Sequence, residues 1–83
     1  MSQADKVREY CKTKLIEPAR ARGAKTISIR AGDIHLALRF NNRLPLVCSA
    51  LGSDEFEELT GVQRISLEGT TNGANTVFKF RLE

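Results

Sequence analysis

The feature that most restricts this chain is a pair of apolar-periodic segments, residues 34–38 and 44–51, separated only by Arg39-Phe40-Asn41-Asn42-Arg43. In the second segment, Leu44, Val47, Cys48 and Leu51 recur at i, i+3, i+4 and i+7, which places all four on one face of a helix. Pro45 falls in the first turn of that helix, where a missing N–H does little harm. Asn41 or Asn42 stands where a side-chain oxygen can cap it. In the first segment, Ile34, Ala37 and Leu38 make a shorter one-sided face, and Asp33 sits at the positive end of its helix. Two short helices joined this tightly cannot leave their apolar faces to water, so the rest of the chain must supply a partner surface.

The flanking sequence contains one. Before the pair, Val7, Tyr10, Cys11 and Leu15 recur at helical spacing, with Ser2 as N-cap and Asp5 in capping-box position. Pro18 is expected to kink or restart that helix, because it lacks an N–H and clashes with the preceding turn. "EPARARG" then continues it to Gly23. In "KTISIR", Ile27 and Ile29 alternate with polar residues, the pattern of a short strand with its isoleucines inward. After the pair, "SDEFEELTG" suggests one more helical turn, with Ser53 as cap, Phe56 and Leu59 inward and Gly61 closing it. The chain ends in a hairpin. "VQRISLE" turns Ile65 and Leu67 to one face, and "TVFKFRLE" does the same with Phe78, Phe80 and Leu82. Between them, Asn72-Gly73 is a turn signal within a seven-residue loop. The core is expected to draw on Val7, Tyr10, Cys11, Leu15, Ile27, Ile29, Ile34 and Leu38. Leu44, Val47, Cys48, Leu51, Phe56, Leu59, Ile65, Leu67, Phe78 and Phe80 complete it.

Eighty-three residues are read as a single domain spanning 1–83. An apolar fraction of 41% and a charged fraction of 28% suit a folded chain and argue against disorder. No apolar run long enough to span a membrane occurs, and the N-terminus lacks the apolar stretch of a signal peptide, so a cytoplasmic location is expected. Cys11 and Cys48 are too far apart for a Cys-x-x-Cys motif and read as small buried hydrophobes, with no disulfide in a reducing cytosol. Charge is uneven. Residues 1–50 carry ten Lys or Arg against four acids, a balance of +6, whereas residues 51–83 carry three against six, a balance of −3. The basic part suits an anionic partner, although an excess of this size is also found on many protein surfaces.

The order of elements is helix, short strand, helix, tight turn, helix, strand, loop, strand. This α+β order resembles the winged helix-turn-helix superfamily, in which three helices pack on a small three-stranded antiparallel sheet. The run "IRAGDIHLALRFNNRLPLVCSAL", preceded by "EPARARG", is also similar to short stand-alone prokaryotic proteins, a likeness that carries no activity with it. The superfamily resemblance implies duplex DNA as partner, a use in transcription regulation, and a homodimer to engage two half-sites. It makes the third helix the recognition helix, with Arg43, Leu46, Ser49, Ala50 and Ser53 at its exposed positions. Arg43 would then read a guanine edge and Asn42 an adenine. Arg39, Asn41 and Arg30 would meet phosphates, with Lys12 and Lys14 as further candidates. The loop of the hairpin, the wing, would offer Thr70, Thr71, Asn72 and Asn75.

Two other readings stand beside this one. Asn41 and Asn42 are also what a turn and an N-cap need with no ligand at all. The wing has no Lys or Arg, and Asp54, Glu55, Glu57 and Glu58 lie close to the recognition helix in sequence. The alternative is therefore a protein-interaction module on the same scaffold, using an apolar patch of Pro45, Leu46 and Ala50 and a free sheet edge. Catalysis is not expected. The single His35 stands at i, i+2 from Asp33, a spacing that does not share a helix face. No nucleophile triad, Gly-rich phosphate loop or metal-ligand cluster appears, so no cofactor, metal or small-molecule substrate is expected.

Overall fold

A computed structural model describes residues 2–69 and 73–82. The chain is α+β, with four helical bodies and one three-stranded antiparallel sheet. The first body runs without interruption through α1 (Gln3–Cys11), a π-helical stretch (Lys12–Ile16) and α2 (Glu17–Ala21). Ser2 and Asp5 form the expected capping box, the Ser2 hydroxyl accepting the Asp5 N–H at 3.1 Å. Pro18 does not end the helix. The wider π turn just before it moves aside the carbonyls that its ring would strike. That turn also brings Ile16 and Ala19 to full burial, at 0% exposure each, neither of which the α-helical spacing had placed in the core.

Strand β1 (Thr26–Arg30) passes directly into α3 (Ala31–Ala37), with Arg30 as the junction. Ala31 and Gly32 are therefore buried at the strand–helix corner, while Ala37, expected inward, faces solvent. Helix α4 (Leu44–Leu51) follows the turn, and α5 (Asp54–Thr60) follows Gly52 and Ser53. The suggested extra turn is thus a complete short helix. The Ser53 hydroxyl accepts the Phe56 N–H at 3.2 Å to start it. Gly61, left-handed at φ +69, ends it.

Strands β2 (Gln63–Glu68) and β3 (Val77–Arg81) form the hairpin, and β1 pairs with β3, giving the order β1-β3-β2. Register sets Ile27 opposite Phe80 and Ile29 opposite Phe78. Val47, Leu51, Phe56 and Phe80 form the centre of the core, all at 0% exposure. Phe56 meets Phe80 edge-on with ring centroids 5.2 Å apart, a geometry worth about 0.5–1.5 kcal/mol beyond the area buried. The hairpin departs from strict alternation. Ile65 and Leu67 were expected in the core, but a register shift between Arg64 and Ser66 leaves Ile65 unpaired and 41% exposed, and Leu67, opposite Phe78, lines an open groove and is 52% exposed. Leu59 also lies at the surface, and Val62 and Leu82 are buried in their place.

Candidate functional site

The link between α3 and α4 is built almost entirely by backbone. Phe40 N–H donates to the His35 carbonyl at 3.1 Å and Arg39 N–H to the Leu36 carbonyl at 3.0 Å. This pair of bonds is the Schellman motif, which closes a helix through one left-handed residue. Here that residue is Arg39, at φ 57, where glycine is the usual occupant. A second left-handed residue, Asn42 at φ 52, redirects the chain into α4. Asparagine tolerates this conformation better than most residues.

Neither asparagine caps α4. Its N-cap is Arg43, whose side chain makes no capping hydrogen bond. Asn42 cannot serve, because the left-handed backbone places it one residue too early. The turn is held instead by His35, whose Nε2 accepts the Arg43 backbone N–H at 3.1 Å. His35 also meets the Phe40 ring edge-on at 6.2 Å. The single imidazole is thus a structural clamp between α3 and the start of α4, and Asp33 is turned elsewhere, to Arg30.

Arg39, Asn41, Asn42 and Arg43 are all exposed around the uncapped start of α4. The Arg43 guanidinium leans toward the chain's first helix, its Nε donating to Gln3 Oε1 at 3.1 Å. Further along α4 the expected face contracts. Ser49 is exposed, but Ala50 is 1% exposed and Leu46 is half-buried against the core. The apolar patch of Pro45, Leu46 and Ala50 is accordingly not a surface: only Pro45 is fully exposed. Leu46 and Ala50 are covered because α4 packs on two sides, against α1 and against α3, rather than on one. Ser53 belongs to the next helix, and its hydroxyl also accepts Arg8 Nε–H at 3.3 Å.

The remaining expected contacts lie apart from the turn. Arg30 bridges the base of the hairpin loop, with one nitrogen 2.8 Å from Asp33 Oδ1 and another 2.8 Å from Asn75 Oδ1. Arg30 and Asn75 therefore hold each other and tie the loop to α3. Thr70, Thr71 and Asn72 lie outside the described residues. Two of the four clustered acids are engaged, Glu55 with Arg8 at 3.3 Å and Glu57 with the Arg64 backbone N–H at 2.9 Å.

One element of the surface has no counterpart in the sequence reading. An open groove of about 620 Å³ lies between α4 and the hairpin, walled by Pro45, Cys48, Ser49, Arg64, Leu67 and Phe78. Arg64 is its cation, with one nitrogen donating to the Gly52 carbonyl at 2.6 Å. Strict alternation would have turned Arg64 outward; the irregularity in β2 places it opposite Phe80, on the side facing α4. Nothing in the local sequence marks that irregularity.

The two thiols differ in setting. Cys11 is fully buried, and desolvation pushes its pKa up to about 12, so it stays protonated. Cys48, 6% exposed, lies in the wall of the groove with Sγ 4.0 Å from the Gly73 carbonyl. No disulfide joins them. Among the described residues, no helix is long and apolar enough to cross a membrane. Compared with models of known protein families, with characterised proteins and with solved structures, the chain matches none.

Proposed function

We propose that this chain is a winged-helix domain that binds duplex DNA, with α3 and α4 as the helix-turn-helix and the β2–β3 hairpin as the wing. The observation that carries the reading is the turn between α3 and α4. An arginine occupies its left-handed position, where glycine would be less strained, and the α4 N-terminus it leads to has no side-chain cap. Backbone strain kept in place of an unstrained residue points to a role for the side chain. The Arg43 N–H is taken by His35 and Pro45 has none, so it is the side chains of Arg39 and Arg43 at this helix start that suit a phosphate oxygen. The sheet order β1-β3-β2 agrees with the winged layout. On this reading, Arg39, Arg43 and the uncapped turn contact the backbone, and Asn41, Asn42 and Ser49 lie nearest the base edges. Arg30, Asn75 and Ser53 act as framework.

The test is a titration with random-sequence duplex DNA at low and moderate salt, with residue-by-residue NMR shifts. Perturbation is expected at residues 39–43 and at Ser49. Replacing Arg39 and Arg43 together by alanine should lower the slope of log affinity against log salt by roughly one to two. A salt slope unchanged by that double replacement, or shifts absent from the turn, sinks the reading.

A further inference from the structure

The sheet has two edges, and they are finished differently. Along β1, Leu82 N–H donates to the Lys25 carbonyl at 2.8 Å and Ala31 N–H to the Thr76 carbonyl at 2.9 Å. Both bonds continue the register that pairs Ile27 with Phe80 and Ile29 with Phe78. In an antiparallel ladder, alternate residues direct their backbone groups to the neighbouring strand and away from it. Residues 25, 27, 29 and 31 therefore bond β3, and Thr26 and Ser28 turn their backbone groups to the open edge together with the Arg30 N–H, the Arg30 carbonyl being taken by the first turn of α3. The opposite edge is guarded. Glu57 takes the outward Arg64 N–H, and the register shift at β2 breaks its ladder. β1 has neither device.

The sheet surface beside β1 has a definite chemistry. Thr26 and Ser28 are exposed, and their cross-strand partners on β3 are Arg81 and Lys79, also exposed. Among the described residues neither cation is in an ion pair. A strand added to β1 would lie two strand spacings from β3, roughly 10 Å. Thr26 and Ser28 are short enough for a long acidic side chain to reach over them to Arg81 and Lys79. On the other face, the added strand would lie beside Ile27, which is half-buried at the margin of the core.

We propose that the free edge of β1 takes an extended protein segment of alternating acidic and apolar residues, the acids over Lys79 and Arg81 and the apolar residues beside Ile27. Main-chain bonds to Thr26, Ser28 and Arg30 supply affinity, and the two faces supply selectivity. This surface lies on the sheet and does not depend on the DNA reading of the α3–α4 turn.

The experiment uses the intact chain and two synthetic seven-residue peptides, one alternating glutamate with valine and one alternating lysine with valine. Amide exchange is followed by NMR. The acidic peptide should slow exchange at residues 26, 28 and 30 and bind at least about tenfold more tightly than the basic one. Lys79→Glu combined with Arg81→Glu should reverse that preference, a readout that a merely unfolded variant cannot give. Ser28→Pro, which removes one outward N–H, should abolish the protection while thermal unfolding stays cooperative. Equal binding of both peptides, binding of neither, or protection along residues 63–68 instead of β1 overturns the proposal. So does duplex DNA perturbing residues 26, 28, 79 and 81 more than the acidic peptide does.

Discussion

Replacing Arg39 by glycine separates the two roles assigned to this residue. Arg39 is left-handed at φ 57 and closes α3 through the two bonds of its Schellman motif. For an L-residue the left-handed conformation costs roughly 1–2 kcal/mol. Glycine avoids that cost but loses about 0.5–1 kcal/mol through its greater freedom in the unfolded chain. The net expectation is a gain of about 0.5–1 kcal/mol, or roughly 2–8 °C in Tm for a domain of this size. The same change removes a cation from the turn, so the DNA salt slope should fall by about 0.9. Thermal unfolding followed by circular dichroism gives the first quantity, and fluorescence anisotropy with a labelled duplex at several salt concentrations gives the second. Arg39→Lys, which keeps charge and strain, should leave both near the parent values. A Tm that falls with glycine refutes the strain argument. A salt slope that stays put refutes the phosphate contact.

Other expectations follow from the packing and the charges. A Cβ on Gly32 would lie 2.7 Å from the Ala74 carbonyl oxygen, so Gly32→Ala should cost about 1–3 kcal/mol by pushing the hairpin loop off α3; denaturant unfolding measures this. His35→Leu removes the acceptor for the Arg43 N–H and should destabilise the fold by about 1 kcal/mol, with the largest NMR shifts in residues 39–44. Asp5 is held below its ordinary carboxyl range by the Ser2 side chain, then the Ser2 backbone, with Arg8 adding attraction. Because the folded value is the lower one, its contribution is full above the ordinary Asp range and disappears as pH falls through the depressed value. Asp5→Ala should flatten that part of the acid stability profile. Under native conditions Cys48, at the groove wall, should react with iodoacetamide well before Cys11, whose labelling should track global unfolding; mass spectrometry of the labelled peptides distinguishes them.

Where one stretch of chain sees one environment, the residues alone were informative. The periodicity of 44–51 led directly to α4, the alternation of Ile27 and Ile29 to β1, and Ser2 with Asp5 to a capping box, because each is set by contacts a few residues away. Phe78 and Phe80 were placed in the core for the same reason. The exposed remnant of the α3–α4 link, Arg39, Asn41, Asn42 and Arg43, was legible too, since none of those four residues fits an apolar face. What failed depended on distant partners. Ala50 and Leu46 looked exposed until α4 was covered on two sides, and Ile65 and Leu67 looked buried until a register shift unpaired Ile65 and an open groove left Leu67 uncovered. Periodicity reports which face is apolar, but not how many neighbours cover it, nor where two strands slip past each other. The expected caps from Asn41 and Asn42 gave way to His35 because a left-handed backbone at Arg39 and Asn42 reoriented the turn. The groove with Arg64, the unguarded edge of β1 and the tie from Arg30 to Asn75 each join residues far apart in the chain. Local sequence determined the elements of this protein; the surfaces they leave open were decided only when the elements packed.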